Sequence, residues 1–443
     1  MPLSRAVPAS CQWFSALTTA LDPRSAPRLL RLLLGAVLAT GRRTVTRWLR
    51  AVGLSDEFRP AYTTVAAAGR RTDFLAARLT HGVLKPLLGS AERLVFAVDD
   101  TPTPRYGSKV QGAGVHHNPT PGPAGAAFVY GHCWVVLAWL ARHPDWGTLA
   151  LPLLAWLYVR AKDLPRVPKA QRPAFCTKLE LAVELVKWAV TWLGFLGKPL
   201  WVVADGAYAK AALLKPLRSA GVTVVSRLRK DAALCSLPGP KRPGQRGRQR
   251  VYGARRLDLA KRAGQRRGWR TETFDLYGKA ARKTYKTFLA TWRPAGGVIR
   301  VVLVKERRGW VAFFATDPAA SVIDILVTVA QRFSLETAFR DCKQEVGAGQ
   351  QQVRKLAAGV GCFHLCLWAY TLTEAWAWGK AADGLVDRAD CPWDQSDRRP
   401  SHADKRRAWR RALLGEEIRA ALPAAASETE IAAAAKRLLK LVA

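Results

Sequence analysis

The sequence predicts an α/β fold, and three observations lead to that prediction. Compact apolar runs of strand length recur between residues 93 and 204. A helical pattern separates the last of these runs from the others, and segments with helical periodicity occupy both ends of the 443-residue chain. An order of three strands, a helix and a fourth strand is typical of an α/β fold, in which helices pack on a sheet.

The N-terminal region, residues 1–88, is predicted to be helical. Residues 26–40 are rich in leucine, and a basic amphipathic segment, 42–53, follows a glycine turn. This order is the outline of a helix-turn-helix, which makes Arg47 a candidate DNA contact. Any small helical bundle with a basic surface shows the same outline, so both interpretations stay open.

Residues 89–224 are predicted to hold the first part of the sheet. The strand candidates and the intervening helix are 93–98, 128–140, 148–159, 173–194 (helix) and 200–204. The first strand stops on Asp99-Asp100, and the last stops on Asp205. An Asp at the end of a strand is more often a turn residue or a helix cap than a catalytic group.

Residues 225–318 are predicted to form a basic, β-rich insertion. Segment 227–270 holds fifteen Lys and Arg against two Asp, so we expect an exposed arm without a core. Short strand patterns then recur, at 271–277, 284–292, 298–304 and 310–315.

Residues 319–384 are predicted to be helical, with a possible break near Gly359 and Gly361. A stripe at i, i+3, i+4, i+7 and i+11 predicts a buried face: Leu335, Ala338, Phe339, Cys342 and Val346. Glu336 lies beside this stripe and points away from it. The cations on its side of the helix are Arg332, Arg340 and Lys343. For an arbitrary helix, a solvated face with salt bridges would be the ordinary interpretation.

Residues 385–443 are predicted to be a polar linker followed by C-terminal helices. The last helix should begin at the capping box Ser427-x-x-Glu430.

Charge indicates the kind of partner. Subtracting 33 Asp and Glu from 70 Lys and Arg gives +37, an excess that nucleic acid commonly screens. The apolar runs, such as 188–197, are shorter than the roughly 18–20 residues of a membrane span. The first residues do not follow the pattern of a signal peptide. We therefore expect no membrane association and a cytoplasmic, nucleoid-associated protein.

Three carboxylates suggest a chemistry. Carboxylates from two strand ends and a helix can hold two divalent cations roughly 3.5–4 Å apart, the arrangement for in-line displacement at phosphorus. Magnesium prefers such oxygen ligands. Asp205 and Glu336 are the candidates for two of the acids. Because neighbouring residues of a strand face opposite sides, only one of Asp99 and Asp100 can easily be the third.

These motifs resemble the DDE-superfamily insertion-sequence transposases, in particular the group with a tyrosine–arginine–glutamate–lysine signature. The matching segments are Val98-Asp99-Asp100-Thr101, Val203-Ala204-Asp205-Gly206-Ala207-Tyr208, Arg332-Phe333-Ser334-Leu335-Glu336 and Phe339-Arg340-Asp341-Cys342-Lys343. The signature tyrosine is replaced by Val329. The pattern of Asp, any residue, Thr favours Asp99 as the first acid, and another alignment would choose Asp100.

The resemblance implies an RNase H-like mixed sheet with a β-rich insertion before the last catalytic helix. It implies a DNA transposase that cleaves element ends and joins them to target DNA. Two Mg²⁺ ions, which Mn²⁺ can replace, would be bound by Asp99 or Asp100, Asp205 and Glu336. Arg332, Arg340 and Lys343 would contact double-stranded DNA, and the protein would act as a homodimer in the DNA complex.

Two other functions stay open at this stage. The chain could be a non-catalytic, sequence-specific DNA-binding protein derived from a transposase, although it retains all three acids. It could also be a nuclease of the same fold that acts on RNA. Magnesium-dependent cleavage of terminal-repeat DNA separates the first from a transposase, and a preference for RNA identifies the second.

Overall fold

A computed structural model describes residues 9–118, 125–241, 244, 246–276, 278–388, 393–395, 397–421, 427–432 and 435. The helical N-terminal region is confirmed. It contains a 3-10 helix, Ala9–Ala20, and the α-helices α1 (Ala26–Leu38), α2 (Val45–Ala51), α3 (Phe58–Arg70), α4 (Thr72–Leu79) and α5 (Lys85–Ser90). The later helices are α6 (Lys178–Leu193), α7 (Ala211–Ser219), α8 (Leu259–Gly264), α9 (Val322–Gln331), α10 (Phe333–Asp341), α11 (Leu356–Ala377), α12 (Ala382–Leu385) and α13 (His402–Ala421).

The predicted α/β class is confirmed by one mixed sheet. Its strands are β1 (Leu94–Pro104), β2 (Gly114–His117), β3 (Phe128–His143), β4 (Gly147–Tyr158), β5 (Leu200–Ala204), β6 (Thr223–Leu228), β7 (Leu234–Cys235), β8 (Arg256–Leu257), β9 (Arg270–Leu276), β10 (Lys279–Trp292), β11 (Gly297–Glu306) and β12 (Gly309–Ala315). The order is β2-β3-β1-β5-β6-β12-β11-β10-β7-β8, with β4 on β3 and β9 on β10. Strands β1, β5 and β6 are parallel neighbours.

Strand β1 is longer than the sequence predicted. The expected end at residue 98 is wrong, because antiparallel pairing with β3 continues to Pro104. Pairing with β5 does stop there, at Val98 opposite Ala204. Asp99 and Asp100 therefore lie where β1 loses its parallel neighbour, and Asp205 follows the end of that neighbour. The acids therefore lie at the expected edge, where the parallel pairing ends, although β1 itself continues beyond that edge.

The β-rich region 225–318 continues the main sheet, because β12 pairs with β6. The expectation that 227–270 contains no core is wrong. Leu234, Leu257 and Leu259 are buried, each at 6% exposure or less. The described Lys and Arg residues of this segment are exposed around these three leucines, apart from the half-buried Arg262.

The helix expected over 321–355 is divided. Helix α9 ends at Gln331, α10 begins at Phe333, and a π-helical turn, Cys342–Val346, follows. Arg332 is the junction residue. All five residues of the predicted apolar stripe are buried, so the predicted orientation of α10 is confirmed.

Helix α11 is the central helix of the core and has no break at Gly359 or Gly361. Gly361 instead allows a close approach to α3, since a Cβ atom there would lie 2.0 Å from the carbonyl oxygen of Val65. By length and composition alone, α11 is long and apolar enough to cross a membrane. However, 83% of its most apolar window is buried inside the protein, as in the core helix of a globular domain.

A buried ion pair joins the C-terminal helix to this core. Lys405 of α13 donates to Glu374 of α11 at 2.5 Å, and both side chains are only 2% exposed. His402 Nδ1 contacts the other carboxylate oxygen at 2.7 Å. Further along the chain, the predicted capping box is confirmed: the amide of Glu430 donates to Ser427 Oγ at 3.3 Å, and the amide of Ser427 donates to Glu430 Oε2 at 3.1 Å.

Candidate active site

One arginine connects two of the predicted catalytic acids. Arg332 donates from Nη1 to Oδ2 of Asp99 at 2.7 Å and from Nη2 to Oε1 of Glu336 at 2.7 Å. Its position between α9 and α10 turns the guanidinium toward β1, while Glu336 lies one helical turn later. The structure thus brings Asp99 and Glu336, which are distant in sequence, to the same cation.

Asp99 has a perturbed pKa. Its side chain is 21% exposed, and burial raises the pKa from 3.8 to about 6, against the opposing effect of Arg332. The charges of Asp100 and Asp205 also raise this pKa, so Asp205 is close enough to repel Asp99. Crowded carboxylates of this kind favour a bound cation, because the cation removes their repulsion.

Asp100 belongs to a separate network. Its Oδ2 accepts from Lys178 Nζ at 2.6 Å and from the thiol of Cys133 at 3.4 Å, and its Oδ1 accepts from the hydroxyl of Tyr208 at 3.0 Å. Burial raises the pKa of Cys133 to about 12, and burial together with the nearby aspartates raises that of Tyr208, so both remain protonated donors. Both oxygens of Asp100 are therefore already bound to side chains of the protein.

The opposite environments of Asp99 and Asp100 follow from strand geometry. Successive side chains of β1 point to opposite faces, and here Asp99 faces Arg332 before α10 whereas Asp100 faces Lys178 at the beginning of α6. Helix α6 begins there because Thr177 and Glu180 form a capping box.

Asp205 lies at the end of β5 and is exposed. Its side chain accepts from the amide of Ala207 at 3.4 Å and caps a short 3-10 turn, Gly206–Tyr208. The capping interpretation therefore describes Asp205 correctly, and capping leaves much of its carboxylate accessible. Tyr208 ends this turn and bonds to Asp100, so it links the segment after β5 to β1 beside Asp99.

The other predicted site residues lie in different surroundings. Lys343 is in the π-helical turn after α10, where burial lowers its pKa. Arg340 pairs with its neighbour Asp341 at 3.0 Å and is 60% exposed. Arg47 lies on the exposed side of α2, and Val329, in place of the signature tyrosine, is half-buried in α9.

Within the described residues, no three His, Cys, Asp or Glu side chains are grouped closely enough to hold a metal ion together. Arg332 explains why the carboxylates of Asp99 and Glu336 stand apart, because its guanidinium lies between them. The arrangement is a carboxylate cluster around an internal cation.

Neither the bridging position of Arg332 nor the network around Asp100 was predictable from the sequence. Tyr208 lies within a recognised motif, but no spacing rule connects it to Asp100. Lys178 carries no signal at all, since it reaches Asp100 only through the packing of α6 on the sheet.

Comparison with known proteins identifies the family. Among curated proteins, none matches the chain significantly. The family described as DDE superfamily endonuclease matches residues 16–294, a segment that contains Asp99, Asp100 and Asp205 and ends before Glu336. Because this match spans more than half of the sequence, the chain belongs to the DDE superfamily endonuclease family.

Proposed function

We propose that this protein is the DNA transposase of an insertion sequence, cleaving the element's ends and joining them to target DNA. Family membership implies a nuclease or transposase enzyme with DNA as substrate. The observation that carries the finer proposal is the meeting of Asp99 and Glu336 at one cation, Arg332. Together with Asp205 after the neighbouring strand, these residues form the set of three acids that strand transfer needs.

The three acids are the ligand set that we propose for a pair of divalent metal ions. DDE-superfamily nucleases generally use divalent ions, and we propose two Mg²⁺ ions, replaceable by Mn²⁺, held by Asp99, Asp205 and Glu336. Two contacts of 2.7 Å to one guanidinium support the proposal, since they show that two of the carboxylates already share a cation. When bound, such ions lower the pKa of water and stabilise charge on the phosphoryl group. Asp100 is the weaker candidate, because its oxygens are bound to Lys178 and Tyr208.

The cations around the acids would then bind DNA. Arg332 can hold a phosphate through two parallel hydrogen bonds once it leaves the carboxylates. Lys343 lies eleven residues after Arg332, about three helical turns further along, and would neutralise a neighbouring phosphate. We assign Arg340 and Arg47 to the backbone of double-stranded DNA as well, because both are exposed. Such contacts position the protein and carry no sequence information by themselves.

The wider organisation follows from this proposal. Residues 1–88 would serve as a DNA-binding region, 89–224 and 319–384 as the RNase H-like catalytic core, 225–318 as a basic insertion and 385–443 as a linker with C-terminal helices. We propose a homodimer in complex with transposon ends and target DNA, acting in the cytoplasm at the nucleoid.

Cleavage of the element's own ends tests the function. The inverted repeats flanking the coding region supply the duplex, and we expect wild-type protein to cut it with Mg²⁺ and not with a chelator. Asp205→Asn should abolish cleavage and leave end binding intact, because it removes a charge that repels phosphate. Binding without cleavage by wild-type protein would favour the non-catalytic alternative. Faster cleavage of an RNA duplex of the same sequence would indicate the RNA nuclease.

A further inference from the structure

A basic cavity lies beside the proposed active site, and of its lining residues the proposed function uses only Lys343. Its volume is about 890 Å³, enough for a nucleotide. Three segments form its walls: the turn before α2, the loop after β1 and the loop between α10 and α11. Its cations are Arg42, Arg105, Lys343 and Arg354, and no Asp or Glu is among the described residues that line it.

Arg105 is the most unusual of these cations. Its residue is only 5% exposed, and within the described chain it forms no ion pair with a carboxylate. Its Nε donates to Nδ1 of His132 at 3.1 Å, its Nη1 donates to the carbonyl oxygens of Gly349 and Gln351, and its Nη2 has no hydrogen-bond partner. Burial lowers the pKa of His132 to about 3, so this neighbour is neutral and cannot repel the guanidinium strongly. A buried cation is costly unless an anion compensates it.

The cavity is held in shape by hydrogen bonds between its walls. Gln351 donates from Nε2 to the carbonyl oxygens of Arg43 and Gly347 at 2.9 and 2.8 Å. The amide of Gln111 donates to the carbonyl oxygen of Arg354 at 2.9 Å. These bonds join all three wall segments, so a ligand would enter a site that is largely formed beforehand.

An aromatic side chain stands at the rim. Tyr106 follows Arg105 directly and is 84% exposed, so most of its ring is in contact with solvent. Exposed aromatic rings next to cations are the means by which proteins bind unpaired bases, because every base presents a face on which the ring can stack.

We propose that this cavity binds one unpaired nucleotide of the DNA, with its base on Tyr106 and its phosphate among Arg105, Arg354 and Lys343. The inference rests on the proposed function, since it assumes a DNA substrate. Lys343 follows Glu336 by seven helical residues, about 10 Å, and Arg105 follows Asp99 by six strand residues, about 20 Å. The bound nucleotide would therefore lie a few nucleotides along the DNA strand from the phosphodiester bond that is cut.

Binding to matched DNA probes tests the proposal. The three probes are a blunt terminal-repeat duplex and the same duplex with a single-stranded extension at the 5′ end or at the 3′ end, and fluorescence anisotropy gives a dissociation constant for each. Wild-type protein should prefer one of the extended duplexes by about fivefold or more. Tyr106→Ala should lose that preference and bind the blunt duplex as before, whereas Tyr106→Phe should keep it. Trp393→Ala, at another aromatic residue with 79% exposure, is the matched control and should change neither constant.

A second variant examines the phosphate half of the cavity. Arg354 is exposed, so Arg354→Gln should fold normally and weaken the extended duplex more than the blunt one. Arg307→Gln, at an exposed arginine in the β11–β12 turn, should leave the ratio of the two constants unchanged.

The outcomes separate the two proposals. A preference that survives Tyr106→Ala, or no preference in a wild-type protein that binds and cleaves the blunt duplex, overturns the nucleotide site and leaves the transposase proposal standing. A wild-type protein that binds neither probe overturns both.

Discussion

Arg332 donates to Asp99 at 2.7 Å, and this contact places a predicted DNA-binding side chain inside the carboxylate cluster. The same guanidinium also holds Glu336. It cannot donate the same two N–H groups to these acids and to a phosphate at the same time. DNA that draws Arg332 away would leave two carboxylates without a partner, which favours a divalent ion. Metal binding and DNA binding are therefore expected to be coupled, and such coupling is reciprocal.

Removing the guanidinium tests this coupling. Arg332→Ala should bind Mn²⁺ in the absence of DNA more tightly than wild type, on the order of tenfold, the size of one contact to a charged group. The same variant should bind the element's end more weakly. Isothermal titration measures both affinities. Arg340→Ala is the control for the Mn²⁺ affinity on the same helix, because Arg340 pairs with Asp341 instead. Weaker Mn²⁺ binding by Arg332→Ala would mean that the arginine assembles the site and does not compete for it.

Neighbouring aspartates should give different phenotypes. Asp99→Asn should abolish cleavage and Mn²⁺ binding while the protein stays folded. Asp100→Asn should lower the melting temperature, because Lys178 would keep its charge and lose its carboxylate partner. It should retain measurable Mn²⁺ binding. The reverse pattern, with metal binding abolished only in Asp100→Asn, would make Asp100 the ligand.

The raised pKa of Asp99 predicts a pH effect on stability in the presence of a chelator. Because its pKa is about 6 in the folded protein and 3.8 ordinarily, ionisation of Asp99 lowers the stability of wild type as the pH rises between these values. Asp99→Asn lacks this effect. The free energy of unfolding of the variant relative to wild type should therefore increase by up to about 3 kcal/mol between pH 4 and pH 7. A constant difference in denaturant titrations would show that the pKa is unperturbed.

Two adjacent residues of α10 separate folding from chemistry. Leu335 is fully buried, so Leu335→Ala should cost about 2–5 kcal/mol of stability through the cavity it leaves. The side chain of Glu336 is 45% exposed, so Glu336→Gln should leave the melting temperature nearly unchanged and abolish cleavage. A thermal melt and a cleavage assay on each variant decide the matter. An unfolded Glu336→Gln beside an active Leu335→Ala would refute the proposed site.

The basic segment should contribute to the salt dependence of DNA binding. Deleting 238–270 would remove the buried Leu257 and Leu259, so charge replacement is the cleaner test. Arg246, Arg248 and Arg250 are exposed, and changing all three to Gln should make the slope of log affinity against log salt shallower by up to about 2.7, or about 0.9 for each phosphate that is no longer neutralised. An unchanged slope would show that these arginines do not bind DNA.

Several features of this protein follow from the sequence alone. Strand β5 has the bounds that its apolar run predicts, and the helical stripe beginning at Leu335 is buried as predicted. Both depend on local periodicity, which records the surface that each element buries. The motifs around Asp205 and Glu336 likewise belong to single segments, so the family resemblance was recognisable before the fold.

Other features depend on contacts between distant segments. The length of β1 is set by its pairing with β3, and the continuity of α11 through Gly361 is explained by close packing on α3. Periodicity within one segment contains no information about such partners.

The sequence by itself determined the α/β class, the family resemblance and the candidate acids, because each resides in a short stretch of chain. Only the tertiary structure decided that Asp99 meets Arg332 while Asp100 meets Lys178 and Tyr208. Alternation along a strand shows that two neighbours differ, but not which face receives which helix. Which helix faces Asp99 and which faces Asp100 depends on how α6 and α10 pack on the sheet. That packing is decided by burial and charge contacts between segments that are distant in the sequence.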